Sequence, residues 1–345
     1  MLSRTLMIGR CDGWFNLRLS ARVLVTNLLL MLLAALLALF ALCYGTLNIT
    51  PLQVWQALWH QGPPGFITVI SQWRAPRVVM ALLLGAGLGV SGAIFQSAMR
   101  NPLGSPDVVG FNTGAYSGVL MVIIWLGGGN YQIAAGALVG GVASASLVYL
   151  LAWRQGIVGF RLIIVGIGVS AMLLALNNWL IISASLDNAM SAALWGAGSL
   201  NGITWSKGLP ALLLIPLTIM AALLTGRRLQ LMEMGDDSAR ALGVSAESSR
   251  LWLMLCGVIL TAIATASAGP IAFIALSAPQ IARRLIGSSA VPLFSAATTG
   301  ALLLLTADVI AQHVFSGIQL PVGAVTVSLG GVYLIGLLIR ESRRS

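Results

Sequence analysis

Apolar residues run through this chain in long unbroken stretches. They occupy roughly 23–44, 76–97, 105–126, 131–152, 161–183, 207–226, 251–268, 271–286, 291–312 and 321–340. Most are about 20 residues long, the length a helix needs to cross the hydrocarbon core of a bilayer. The alternating ten-residue segments of a membrane barrel are not the pattern here. The expectation is an all-α polytopic membrane protein with about ten transmembrane helices. An even number of spans places both termini on one side. The stretch 271–286 is short, follows Gly269–Pro270 and carries Pro279, so it predicts a tilted or partial helix.

The longest polar interruption is LMEMGDDSARALGVSAESSR, Leu231–Arg250. It reads as two very short helices. Asp236 and Asp237 suit a helix start, where carboxylates cap orphan N–H groups and face the positive dipole end. Gly243 suits the stop, because a left-handed position costs glycine nothing. Ser245 can cap a second helix, with Glu247 in its first turn. The segment is either a solvated connector or a docking surface for a soluble partner. Two other polar segments lie on the opposite side. Thr46–Trp73 holds PLQVWQALW, an interfacial helix with Trp55 and Trp59 at headgroup depth, and Ser183–Ser206 holds MSAALWGAGSL, a second surface helix. The domain reading is a tail, 1–22, and one transmembrane domain, 23–345, with a cytoplasmic loop at 229–250. Glycines recur four apart at Gly85 and Gly89, at Gly110, Gly114 and Gly118, and at Gly136 and Gly140, which lets helix backbones approach closely.

Composition agrees: 58% of residues are hydrophobic and 8% charged, against about a quarter charged in soluble domains. Net charge is +10, but the cations sit at span ends and do not form a nucleic-acid surface. Sixteen of the nineteen Lys and Arg residues fall on the side of the amino terminus, and only Arg74, Arg77 and Lys207 on the other. That bias makes both termini and the 229–250 loop cytoplasmic. Arg4, Arg10, Arg18 and Arg22 precede Val23–Tyr44, a run too long for a signal-peptide core, so it reads as a retained first span. Cys11, Cys43 and Cys256 form no framework.

Enzymatic equipment is missing. Lys207 is the only lysine and ITWSKGLP is no phosphate-binding loop, so the chain is not itself an ATPase. His60 and His313 stand far apart, without metal-ligand spacing, and no serine sits in a GxSxG elbow. No catalytic residue, metal site or bound cofactor is assigned. Asp308, in LLLTADVIAQH, is the one acid within an apolar run. It is either a group for ion coupling or a helix-end residue bonded to a neighbouring span. Arg74 and Arg77, in QWRAPR, break the charge bias and suit a docked carboxylate, an anionic ligand or lipid headgroups. Asn177 and Asn178 on the fifth span either line a pathway or join helices.

WRAPRVVMALLLGAGLGVSGAIFQSAMRNPLGSPDVVGFNTGA, Trp73–Ala115, resembles the signature of the FecCD-type permeases of ABC importers for iron-siderophores and cobalamin. GDDSARALGVS, AGPIAFIALSAPQIARRLIG and QLPVGAVTVSLGGVYLIGLLIR are similar to the coupling loop and carboxyl-terminal signatures of that family. The likeness covers the chain from Leu24 onward. NPLGSPDVVGFNTGA, FRLIIVGIGV and EMGDDSARALGVS point within the family to ferric enterobactin as cargo. The resemblance implies a permease subunit in the bacterial inner membrane, paired with a second homologous permease as a heterodimer. It also implies two copies of a cytoplasmic ATPase, which bind the ATP and Mg, and a periplasmic siderophore-binding protein. It places binding-protein docking at Arg74 and Arg77. It places a cytoplasmic gate at Asn101, Leu103, Gly159 and Phe160. It places ATPase coupling at Glu233, Asp236, Asp237, Arg240, Leu242, Gly243 and Glu247. A further docking arginine of some members has no match in SGIQLPVG. The alternative reading is an ion-coupled secondary transporter of an organic solute.

Overall fold

A computed structural model of the protein describes residues 5–8, 17–45, 47–107, 110–153, 159–287, 292–315 and 319–342. A short antiparallel hairpin, β1 (Thr5–Ile8) and β2 (Leu17–Ser20), pairs Thr5 with Ser20 and leads directly into α1 (Ala21–Cys43). On the external side come α2 (Pro51–Leu58) and α3 (Pro64–Thr68), which passes through a π-helical turn, Val69–Arg74, into α4 (Ala75–Met99). Next are α5 (Phe111–Met121) with a π-helical end at Val122–Leu126, α6 (Asn130–Ala152), α7 (Gly159–Ser183) and the external α8 (Leu186–Gly196). The second half holds α9 (Trp205–Glu233), the short α10 (Asp236–Ala241), α11 (Ala246–Ala268), α12 (Ile274–Ile286), α13 (Leu293–His313) and α14 (Val322–Ser342).

Every apolar stretch read from the sequence contains a helix. Among the described residues seven helices are long and apolar enough to cross a bilayer, and Phe111–Leu126 and Val322–Gly336 are shorter apolar helices. The tenth, α12, has 13 residues. At 1.5 Å per residue it spans about 20 Å, short of a hydrocarbon core, as Gly269–Pro270 foreshadowed. Two boundaries differ from expectation. The third span starts at Phe111, because NPLGSPD folds as turns and not as helix. The second short helix after Gly243 is not separate: Ala246 begins α11, which runs on through the membrane.

Helix α4 is the axis of the bundle. It packs against α13, α11, α9 and α12, and almost its whole length is buried. Its close contact with α13 depends on absent side chains. A Cβ on Gly85 would overlap the Gly300 carbonyl, and one on Gly89 that of Ala296. The α5–α6 pair repeats the device, with Gly114 and Gly118 against Gly140 and Gly136. Two large apolar cores result, with a third, smaller cluster of Cys43, Ile49, Val54, Ala57 and Ile70 at the external end. One of the large cores joins α4, α9, α11 and α13, and the other gathers α5, α6 and α7 around Phe95 and Met254. Buried hydroxyls tie the elements across these seams: Ser91 donates to the Gly257 carbonyl at 2.8 Å.

Irregular backbone inside a membrane must satisfy its own polar groups. Here Asp107 does this where two broken spans meet. It accepts from the Asn112 amide at the start of α5. Thr265 on α11 in turn donates to Asn112 at 3.0 Å.

Candidate functional site

The external end is held by contacts centred on two arginines, Arg74 and Arg77. Thr50 and Gln53 form a capping box that starts α2, with the Thr50 N–H donating to Gln53 at 3.0 Å. The π-helical turn that follows leaves the Ser71 carbonyl free, and the Trp205 indole donates to it at 2.7 Å. This sets the register of Arg74 and Arg77. Arg74 donates to the Leu42, Cys43 and Leu47 carbonyls at 2.8, 3.2 and 2.6 Å. It thereby caps the carboxyl end of α1. Arg77 grips Asp308 with Nε at 3.1 and 3.0 Å and Nη2 at 2.9 Å, and its Nη1 donates to Gln319 at 3.1 Å. Gln312 completes the carboxylate at 2.8 Å.

Both arginines therefore make structural contacts within the chain at the external end, and the Arg77 side chain is 12% exposed above a fully buried Asp308. Asp308 is the helix-end residue bonded to a neighbouring span, and not an uncompensated carboxylate for ion coupling. Next to this end lies an external cavity of about 530 Å3, edged by Tyr131, Asn188, Trp195, Asn201 and Lys207.

Asn177 joins two helices. It is 1% exposed, accepts from Ser117 at 2.6 Å and donates to the Thr113 carbonyl at 3.3 Å, joining α7 to α5. Asn178 follows it on the outward face of α7, exposed.

At the cytoplasmic end, Arg100 closes α4 in the left-handed region, with φ 49°. Asn101, Leu103 and Gly104 then form a tight turn. The Leu103 N–H donates to the Asn101 side chain and the Gly104 N–H to the Asn101 carbonyl, both at 2.9 Å. The Pro102 carbonyl accepts from Gln280 of α12 at 2.8 Å. Leu103 stands exposed and shares a cavity of about 410 Å3 with Asn101, Asp107, Ile163 and Ile167. Gly159 and Phe160 open α7, with Phe160 exposed; residues 154–158 before them lie outside the described residues.

The coupling-loop residues divide into two faces. Asp237, Arg240, Leu242, Gly243 and Glu247 are exposed, and Ala239 buries the opposite side of α10. Gly243 takes φ 78°, and Val244 returns its N–H to the Ala239 carbonyl at 2.9 Å, closing the helix as the sequence predicts. Glu233 and Asp236 turn inward instead. Ser97 donates to Glu233, and Arg100 and Arg250 donate to Asp236 at 2.5 and 2.8 Å. Neither Asp236 nor Ser245 places its side chain as a cap, so the expected capping role is replaced by ion pairing. Ser97, Arg100, Arg250 and Gln280 were not singled out by sequence. Only Arg250, fourteen residues from Asp236, is near enough in the chain to be suspected as its partner.

A profile of the FecCD transport family matches residues 31–340. The chain belongs to the FecCD transport family. Within it, the ferric enterobactin transport system permease protein FepG of Escherichia coli K12 is 58% identical over 94% of this chain and 98% of its own. The iron(3+)-hydroxamate import system permease protein FhuG of Bacillus subtilis 168 is 37% identical over 86% of this chain and 91% of its own. A metal-chelate-type ABC transporter solved in an inward-facing conformation superposes with a TM-score of 0.80 at 27% identity. That alignment covers 91% of this chain and 98% of the other. The FecCD match begins within α1 and ends within α14, so the whole bundle is family architecture.

Proposed function

We propose that this chain is an inner-membrane permease subunit of an ABC importer that carries ferric enterobactin from periplasm to cytoplasm. The observation that carries the reading is the 58% identity to FepG across 94% of the chain. The subunit pairs with a second, homologous permease to enclose the pathway. A periplasmic binding protein delivers the chelate to the external surface of α2 and α8, whose mouth Arg74 and Arg77 brace from within. Two copies of a separate ATPase bind ATP and Mg beneath the membrane. They engage the outward face of the 229–250 loop: Asp237, Arg240, Leu242, Gly243 and Glu247.

The chelate is large and carries several negative charges. The described spans offer it few ions, since Asp308 is already paired and the exposed faces are mostly apolar or small. Weak walls let cargo leave, and directionality comes from a bundle with two arrangements biased by two partners. Gate residues Asn101, Leu103, Gly159 and Phe160 close the cytoplasmic side.

The test is uptake of radio-iron enterobactin by vesicles containing both permeases, the ATPase and the binding protein. ATP-dependent uptake that needs the binding protein is the expected outcome. ATP-dependent uptake of a hydroxamate chelate alone would replace the cargo, and uptake driven by an ion gradient without ATP would overturn the importer reading.

A further inference from the structure

The inward face of the coupling loop makes a contact that the outward face cannot. One oxygen of Asp236 accepts from Arg100 at 2.5 Å and from Arg250 at 2.8 Å. Three elements converge there. Arg100 ends α4, and the same guanidinium nitrogen reaches the Met232 carbonyl, in the last turn of α9, at 3.0 Å. Arg250 lies in the second turn of α11 and is buried. One turn before Arg100, Ser97 donates to Glu233. The loop helix α10 is thus fastened to the end of α4 by a short, charge-assisted path.

That path ends at the gate. Arg100 is followed at once by Asn101, and its left-handed backbone turns the chain out of α4 into the 101–104 segment. On its far side the segment is held by Gln280. On its near side lies a cavity of about 520 Å3 lined by Gln96, Arg100, Asn101, Glu233 and Arg283. The Gln96 side chain is buried there with its oxygen unpartnered. The gate segment therefore has a rigid tie on one flank, an ionic tie on the other, and free space beside the ionic one. Arg100 and Asp236 remain partly open to solvent, at 45% and 34%, so their attraction adds little stability. Geometry is what they contribute.

We propose that Asp236 is a positioning residue that carries displacement of α10 to the gate through Arg100, while Arg250 keeps α11 in step. This rests on the importer reading above. A push on α10 moves the Asp236 carboxylate, the carboxylate draws Arg100, and Arg100 swings Asn101 and Leu103 toward or away from the adjoining cavity.

The experiment uses the complete complex in proteoliposomes and measures ferric enterobactin taken up per ATP hydrolysed. In parallel, Leu103→Cys, in a background with the native cysteines replaced, is labelled with and without nucleotide. Asp236→Asn and Arg100→Gln should each lower the uptake-to-hydrolysis ratio at least about fivefold, the low end of measured coupling between sites. Both should remove the nucleotide dependence of labelling, and Asp236→Glu should restore most of each. An unchanged ratio would overturn the proposal, as would uptake and hydrolysis falling in proportion, the sign of damaged docking only. Should Asp236→Asn fail to accumulate, the more exposed Arg100→Gln decides. A wild-type complex that takes up no chelate with ATP refutes the importer reading, while the labelling arm still reads the link.

Discussion

Arg77 and Asp308 lie 231 residues apart and meet in a two-pronged ion pair whose carboxylate is wholly buried. A charge in that position is tolerable because its partner arrives with fixed geometry and because Gln312 and Gln319 use the remaining valences. Removing one partner leaves the other charged and buried, which costs about 3–5 kcal/mol. Asp308→Asn should therefore lower the midpoint of thermal unfolding in detergent sharply, and Arg77→Gln should do the same. The double variant should recover much of the loss, because no lone charge remains. Equal loss in single and double variants would show that the pair is not the source. The sequence marks both residues as unusual, one as a cation on the wrong side and one as an acid in a greasy run. It does not mark them as partners, because nothing local to either says which of ten helices lies alongside. The inward turn of Asp236 is hidden for a related reason. A DD pair at a helix start looks like capping until Arg100 is brought from 136 residues away.

At the level of elements, spans and surface helices are legible from hydropathy, punctuation and aromatic placement, since each depends on a contiguous stretch. The sites where helices break are less so. The NPLGSPD turn and the start of α12 lie in apolar surroundings, where proline and glycine mark the breaks but the polar contacts that satisfy them, Asp107 with Asn112 and Asn112 with Thr265, are tertiary or non-helical and invisible to hydropathy. Glycine spacing predicted close approach, and the structure shows which helices approach: α4 with α13, and α5 with α6. Gly118→Leu should separate α5 from α6 and destabilise the subunit by about 3 kcal/mol, the upper part of the range for overpacking. Gly168→Leu, on an open face of α7, should cost little in the isolated subunit. Thermal unfolding of the two variants in detergent checks the contrast; equal midpoints would mean that the seam repacks.

For the whole molecule, charge placement sets direction. With sixteen of nineteen cations on one side, the bundle has one favoured orientation. Alkaline phosphatase, active only outside the cytoplasm, should be active when fused after Asn201 and inactive when fused after Ser342. The reverse result would invert the bundle and put the coupling loop beyond reach of any cytoplasmic ATPase. That the chain is a bundle of many apolar helices was legible because it follows from composition along the chain. The division into two large cores was not, because it depends on which seams the glycines close.

The first helix has a consequence for how the protein is made. Most of the surface of α1 faces outward, and three of its polar partners lie later in the chain. Arg74 caps its external end, Thr298 donates to its Asn27 at 3.1 Å, and its own Arg22 donates to the Leu285 carbonyl of α12 at 3.1 Å. A ribosome delivers α1 to the lipid before the spans that follow it, yet two of these three contacts do not exist until the chain has grown past residue 285. A span early into the bilayer is among the last to be locked, and waits in lipid as a loose stave while the rest of the cask is built.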